Sequence, residues 1–186
     1  MPVTPFPLIE VAGTPLQRGE IHGEAARSRV ALSLQHYSAQ MGRMGFGKDR
    51  ITEVCNGFLP ALRNWAPDLV EEMEGIARGA GCSLADVVLL NARTEVLQIA
   101  HRETGHRDDE PDGCTGAVIL PEASADGTLV HGQNWDWRAE CVDTAIVLRV
   151  ERDDGPDFLT FVEAGGLARS GLNAAGISIT ANYLES

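Results

Sequence analysis

With 186 residues, the chain has the length of one domain, which can bury roughly 70% of the surface that its unfolded form exposes. Its formal net charge of -12 argues against nucleic acid and anionic membrane as partners, because both bind basic surfaces. The sequence has no apolar run of about 18 residues that could span a membrane, and its first residues lack the basic and apolar regions of a signal peptide.

The cysteines predict a reducing environment. None of the four forms a C-x-x-C pair, so their spacing favours neither a disulfide framework nor a zinc site. They are Cys55, Cys82, Cys114 and Cys141. We therefore expect a cytoplasmic protein with free thiols and no bound metal.

The chain opens with a short predicted edge strand, Leu8–Val11, followed by a helix. Thr14 and Gln17 have the spacing of a capping box, and Pro15 suits the first helical position. Apolar residues then recur at near-helical spacing, which predicts that this helix continues to about Met41.

Three further helices are predicted before residue 101. Gly81 is expected to end one of them, and Ser83 with Asp86 to cap the next by the same capping-box logic. In the first helix, Gly19 and Gly23 lie four residues apart and would let another backbone come close. The predicted ranges of the three helices are 49–64, 67–80 and 83–100.

Two polar features near the end of this helical half need an explanation. Asn91 and Glu95 fall in line with apolar residues, so each must find a buried partner. A structural network between helices and a role near an active site are both consistent with this. Residues 101–111 are polar and lack periodicity, which predicts an exposed loop that can be cut without loss of a core.

The second half of the sequence predicts antiparallel strands. Short β-branched segments alternate there with turn residues such as Ala125-Asp126-Gly127. The predicted strands are 114–120, 128–134, 144–151, 158–163 and 177–182. Helices followed by strands are typical of an α+β fold with segregated layers.

Cys114 has the sequence context of a nucleophile. A cysteine thiol has a pKa of about 8.5 and needs a base, and the α-amino group of an N-terminal cysteine, with a pKa of about 7.7–8.0, can supply one. Breaking the Gly113–Cys114 bond would create that amine by an N-to-S acyl shift and thioester hydrolysis. Glycine favours this step because it has no side chain to obstruct the thiol.

The motifs carry a family resemblance. Asp112-Gly113-Cys114-Thr115, followed one hairpin later by Gln133-Asn134-Trp135-Asp136, resembles the acyl-coenzyme A:6-aminopenicillanic-acid acyltransferase family of N-terminal-nucleophile (Ntn) hydrolases. Residues 90–95, 163–166 and 171–176 resemble further segments of that family, so the likeness covers nearly the whole chain. The related choloylglycine (bile-salt) hydrolases carry an arginine where this chain has Gln133, which places the chain nearer the acyltransferase branch.

The resemblance implies a fold and a division of the chain. The family fold is a four-layer αββα sandwich, of which residues 1–113 would be the helical pro-segment that becomes the small chain. Residues 114–186 would be the N-terminal part of the catalytic sheet, within one domain overall. The family's chain continues beyond the point that matches Ser186, and its oxyanion-hole asparagine lies there. We therefore expect this chain to be a C-terminally truncated, incomplete sandwich.

The resemblance also implies roles for individual residues. Cys114 would be the nucleophile, Gly113–Cys114 the cleavage site, and Asp136 the acid that orients or stabilises the new amine. Three neighbours would support the substrate or the backbone near the nucleophile: Thr115, Gln133 and Asn134. For Cys114 the competing interpretation is a small buried residue at a strand start, and for Asp136 a turn carboxylate. We expect Trp135 and Trp137 to serve packing, and His131 to face solvent.

Two functions remain open from the sequence. The first is an autoproteolytically processed amidohydrolase or acyltransferase that acts on small N-acyl compounds or acyl-coenzyme A through a thioester, without a cofactor. Its partners would be those small molecules and its own paired cleavage fragments. The alternative is an inactive, truncated remnant that acts at most as a binding or assembly piece.

Overall fold

A computed structural model of the chain describes residues 5–106, 113–153 and 155–182. The described part holds six α-helices, which account for most of the chain before residue 106. They are α1 (Pro15–Ala25), α2 (Arg27–Arg43), α3 (Lys48–Trp65), α4 (Pro67–Ala80), α5 (Leu84–Asn91) and α6 (Arg93–Thr104). Two short 3₁₀ helices follow later, at Pro121–Ala123 and Ala139–Asp143.

Local capping chemistry sets the helix ends that the sequence predicted. Thr14 donates its backbone N–H to Gln17 Oε1 at 3.0 Å and accepts the N–H of Gln17 on its hydroxyl at 3.3 Å. Ser83 and Asp86 form the same reciprocal pair at the start of α5. Gly81 ends α4 in the left-handed conformation, with φ 75°.

Two predicted helices were wrong in their extent. The helix expected from residue 14 to 41 is divided at Ala26, and the helix expected from 83 to 100 is divided at Ala92, where φ and ψ are -114° and 24°. Alanine stands at both breaks, so neither a proline nor a glycine at the dividing residue marks them in the sequence. The predicted loop from residue 101 was also wrong at its start, because α6 continues to Thr104.

Helices α1 and α4 pack backbone against backbone. A Cβ placed on Gly19 would overlap the carbonyl oxygen of Glu72, and one on Gly23 would overlap that of Ile76. The contact is reciprocal, because a Cβ on Gly75 would overlap the carbonyl oxygen of Leu16. The close approach predicted for the two glycines of α1 is therefore confirmed.

The strands form two sheets. They are β1 (Leu8–Val11), β2 (Gly113–Ile119), β3 (Val130–Asp136), β4 (Ala145–Val150), β5 (Phe158–Glu163), β6 (Ser170–Asn173) and β7 (Ser178–Ile179). The larger sheet has the order β1-β4-β5-β6-β7, and the strands β2 and β3 form a separate antiparallel hairpin. The edge position predicted for β1 is confirmed, but it pairs parallel to β4, while all other neighbours in the described sheets are antiparallel.

The larger sheet lies between the helices and the hairpin. Side chains of β4 that alternate along the strand, Ile146, Leu148 and Val150, are buried against residues of α2 such as Val30 and Tyr37. The opposite face meets the hairpin, where Trp135 contacts Phe161 edge to face at 5.8 Å between ring centroids. A second apolar core lies among helices α2 to α6. The α+β class is thus confirmed, and the four-layer sandwich stays a prediction.

Candidate active site

The hairpin register positions the predicted nucleophile. Cys114 lies opposite Trp135 across the antiparallel pair, and Gly113 lies opposite Asp136. Side chains of directly opposed residues project from the same face, and successive residues alternate between faces. The register therefore places the side chain of Cys114 on the same face as Trp135, and the side chain of Asp136 on the other face.

The face with Cys114 is turned toward the larger sheet. Gln133 lies on this face, where its Nε2 donates to the carbonyl of Ala181 at 2.6 Å and its Oε1 accepts from the hydroxyl of Ser170 at 2.8 Å. His131 also lies here, half-buried, with Nδ1 2.6 Å from Ser178 Oγ. The expected solvent-facing position of His131 was wrong, because β7 and the residues after it cover that side of the hairpin.

The other face of the hairpin carries Asp136, Asn134 and Thr115, all of them exposed. The structure therefore does not bring these three side chains to the face of the thiol. Asp136 instead lies beside the peptide that is expected to break: a Cβ added to Gly113 would be 3.7 Å from Asp136 Oδ2. A carboxylate there is suited to stabilising an amine that begins at residue 114. Asp112, which completes the sequence motif, and the part of the predicted loop from residue 107 onward lie outside the described residues.

Asn182 is a further group at the nucleophile that the sequence did not single out. Its Nδ2 donates to the carbonyl oxygen of Cys114 at 3.1 Å, and its Oδ1 accepts from Gln133 at 2.8 Å. Sequence reasoning placed Asn182 only at the end of a strand. The strand is shorter than expected, so the residue lies in the segment after β7 that covers the hairpin.

Aromatic rings extend from the nucleophile into the interior. Trp135 and Trp137 stack with ring centroids 6.1 Å apart, and Trp137 Nε1 donates to the hydroxyl of Tyr37 at 3.1 Å. Arg169 places its guanidinium carbon 4.2 Å from the ring centroid of Trp135. The two tryptophans pack as expected, and they also form one wall of the site.

A buried charged network lies behind these rings. The hydroxyl of Tyr37 donates to the Glu163 carboxylate at 2.8 Å, and Arg93 forms an ion pair with Glu163 at 3.1 Å. Burial raises the pKa of Tyr37, so the hydroxyl remains a donor. The network joins helices α2 and α6 to strand β5, and it thereby ties the segment before Cys114 to the segment after it.

Three cysteines are unsuited to nucleophilic chemistry. Burial raises the pKa of Cys55 and of Cys82 to about 11, and burial together with the Glu163 carboxylate raises that of Cys141 to about 12. Their thiols therefore stay protonated near neutral pH, as expected for structural residues. Cys114 is only half-buried.

Asn91 joins helix α5 to the turn after β5. Its Nδ2 donates to the carbonyls of Val87 and Gly165, both at 2.9 Å, and its Oδ1 accepts from the N–H of Leu167 at 2.9 Å. Asn91 thus serves a structural helix-to-turn network. Glu95 is exposed, so the expectation that it must find a buried partner was wrong.

A cleft of about 660 Å³ opens between β3 and the larger sheet. Its walls are largely apolar, with Arg169 and Arg138 among the lining residues. Neither a cluster of three potential metal ligands nor a helix long and apolar enough to cross a membrane occurs in the part of the chain that the structure describes.

Comparison with known proteins supports the family that the motifs suggest. No protein-family model matches the chain. The chain is 28% identical over 174 residues to the 40 kDa form of acyl-coenzyme A:6-aminopenicillanic-acid acyltransferase from Emericella nidulans. The match covers 93% of this chain and 46% of that protein, so the chain spans about half the length of its relative.

Proposed function

Because this chain is a homologue of an acyl-coenzyme A:6-aminopenicillanic-acid acyltransferase, we propose that it is an N-terminal-cysteine amidohydrolase or acyltransferase that matures by cleaving itself at Gly113–Cys114. One observation carries this proposal. The pairing of Gly113 with Asp136 puts a carboxylate beside the bond that would break. A carboxylate in that place favours the protonated amine of the product.

The cleavage uses groups that Gly113 and Cys114 supply themselves. Cys114 Sγ attacks the carbonyl carbon of Gly113, a C–S bond forms, the C–N bond breaks, and the nitrogen of Cys114 takes the proton of the thiol. Water then hydrolyses the thioester, which releases the Gly113 carboxylate and a free Cys114 thiol. Cleavage here cuts at the first bond of β2 and leaves the rest of the hairpin ladder in place.

The mature site would repeat this chemistry on a substrate. The thiol of Cys114 attacks an acyl carbonyl, its own α-amine accepts the proton, and the leaving amine or thiol departs with that proton. Water or an acceptor amine resolves the resulting thioester. Asn182 and Gln133 are hydrogen-bonded to each other beside Cys114. Through the hydrogen bond from Asn182 to the carbonyl of Cys114, they would hold the backbone of the nucleophile in place.

Intact mass spectrometry tests the proposal. The wild-type protein is expected to yield pieces 1–113 and 114–186, and the Cys114→Ala variant to stay whole, because alanine has no nucleophile. Cys141→Ala is the matched control and should cleave as wild type does, since the Cys141 thiol is buried and protonated. Asp136→Asn should slow cleavage by about 10- to 1000-fold if its charge stabilises the developing amine.

An exposed apolar surface favours the alternative function of a binding or assembly piece. Large apolar side chains are exposed on the hairpin and near β6 and β7, among them Val118, Ile119, Leu129, Leu172 and Ile179. Surfaces of this kind mark interaction sites. If the folded wild-type protein remains uncut after long incubation, the binding or assembly function is favoured and the enzymatic function is not.

A further inference from the structure

A second, smaller cavity lies among α2, α5, α6 and the connection between β5 and β6. Its volume is about 50 Å³, and the charged residues that line it are Arg93, Glu163 and Arg169. A cavity needs about 10–15 Å³ to hold one water-sized group, so this one has room for a small ion with a little water. It is far smaller than the cleft of about 660 Å³ beside Cys114 and cannot hold an acyl compound.

The charges around this cavity do not balance. Arg93 forms an ion pair with Glu163 at 3.1 Å, and the hydroxyl of Tyr37 stays neutral because burial raises its pKa. The guanidinium of Arg169 is half-buried, and it makes neither an ion pair nor a hydrogen bond with the part of the chain that the structure describes. Two guanidinium groups therefore share one carboxylate, and one positive charge is left over. Withdrawing a charge from water without a partner costs free energy.

Arg93 also has a donor that lacks an acceptor. One of its terminal nitrogens binds Glu163, and another donates to the carbonyl of Leu90 at 3.3 Å. Its Nε is buried and has no hydrogen-bond partner among the described residues. A buried donor that stays unsatisfied destabilises the folded state, so an acceptor bound in the cavity would relieve this cost.

Aromatic rings keep the two guanidinium groups near each other. The ring centroid of Trp137 lies 5.7 Å from the guanidinium carbon of Arg93 and 5.9 Å from that of Arg169. Arg169 stacks more closely on Trp135, at 4.2 Å. Contacts of this kind fix the position of a cation without cancelling its charge. The cavity is thus a preorganised site with excess positive charge, which favours binding because little further ordering is needed.

We propose that this cavity binds chloride, or a monovalent inorganic anion of similar size, between Arg93 and Arg169. Guanidinium groups suit such a site because they are weakly hydrated and present several N–H donors. The anion would neutralise the excess charge and supply an acceptor where Arg93 lacks one. It would also hold Arg169 against Trp135, which lies opposite Cys114 in the hairpin.

The stability of the uncleavable full-length chain tests this site. In the Cys114→Ala background, urea unfolding would be measured while sodium chloride replaces sodium gluconate at constant ionic strength, since gluconate is too large for the cavity. A ligand that binds only the folded state multiplies the folding constant by one plus the ratio of its concentration to Kd. We therefore expect the folding constant to rise at least about fivefold between about 2 and 200 mM chloride. Broadening of the chloride NMR line by the folded chain would report binding directly.

Adding Arg169→Gln should reduce this rise to less than about twofold, because it removes the excess charge and leaves no carboxylate unpaired. Arg78→Gln is the matched control, since it removes the same charge from an exposed side chain of α4 and should keep the full response.

Circular dichroism would establish that each variant is folded, and the NMR line of the parent chain decides the outcome even if a variant does not fold. A parent without a chloride response, a response that survives Arg169→Gln, or one that is lost in Arg78→Gln would each overturn the inference. Because every sample lacks Cys114, self-cleavage has no effect on the result, and a failure here is distinct from a failure of the proposed function.

Discussion

At His22, burial and one hydrogen bond determine a protonation state. The ring is almost completely buried, and its Nε2 accepts the N–H of Gly165 at 3.2 Å. A proton on Nε2 would point at that N–H group and would carry a charge into an apolar interior. Burial therefore lowers the pKa of His22 to about 4. The bond joins helix α1 to the turn that precedes Arg169, so the protonation of His22 bears on the architecture of the site.

The lowered pKa of His22 predicts that the folded protein loses stability in acid. Because the pKa of His22 is lower in the folded protein than its ordinary value of 6.5, the unfolded chain binds more protons between pH 6.5 and 4, and the free energy of unfolding falls as the pH falls. The contribution of His22 should decrease by about 2 kcal/mol between pH 7.5 and 5. Urea unfolding of wild type and His22→Gln at both pH values measures it.

Exposed His106 provides the comparison for that experiment. His106→Gln should keep the wild-type dependence on pH, and His22→Gln should weaken it. An equal pH dependence in wild type and His22→Gln would contradict the assignment of the effect to the buried ring.

The α1–α4 contact shows how elements are held together where no side chain intervenes. The glycines of each helix leave room for carbonyl oxygens of the other. Gly19 and Gly23 of α1 face carbonyl oxygens of α4, and Gly75 of α4 faces one of α1. Such close packing brings many backbone atoms into van der Waals contact, and it has no room for a methyl group. Gly57, in α3, faces open space instead.

This difference predicts opposite effects of the same substitution. Gly75→Ala should lower the free energy of unfolding by about 3 kcal/mol, because the added Cβ overlaps the carbonyl oxygen of Leu16 and the helices must separate. Gly57→Ala should raise it by roughly 0.5–1 kcal/mol, because alanine is the better helix former. Urea unfolding curves measure both, and a loss at Gly75 no larger than the ordinary glycine effect would argue against the close packing.

Across the whole molecule, the segments on either side of Cys114 are interleaved. Strand β1 is bonded to β4 over four residue pairs, from Leu8 with Val147 to Val11 with Val150. Tyr37 and Arg93, which precede the proposed cleavage site, bind Glu163, which follows it. Cleavage of one peptide bond would leave all of these contacts in place.

We therefore expect the two pieces to stay associated after a cut. A site-specific protease sequence inserted between residues 106 and 113 would allow the folded Cys114→Ala protein to be cut, and size exclusion should show both pieces eluting together. Glu163→Ala should favour separation, since it leaves Arg93 without its buried partner at a cost of roughly 3–5 kcal/mol. Exposed Glu140→Ala is the control. Separate elution of the two pieces of the cut Cys114→Ala protein, without any change at Glu163, would refute the expectation.

The sequence by itself determined the features that depend on neighbours in the chain. Local hydrogen bonds and turn conformations determine the capping pairs at Thr14 and Ser83, the end of α4 at Gly81 and most strand positions. The motif around Cys114 is also a local pattern that can be read from the sequence. The spacing of Gly19 and Gly23 even indicated a close backbone contact, although not its partner.

Only the tertiary structure decided the features that depend on distant partners. The breaks at Ala26 and Ala92 have no proline or glycine at the dividing residue to mark them, and the parallel pairing of β1 with β4 joins residues far apart in sequence. The site depends on such contacts most of all. Register alone puts Asp136 beside Gly113, and folding alone brings Arg169 onto Trp135, because no local pattern records which side chains a sheet will bring face to face.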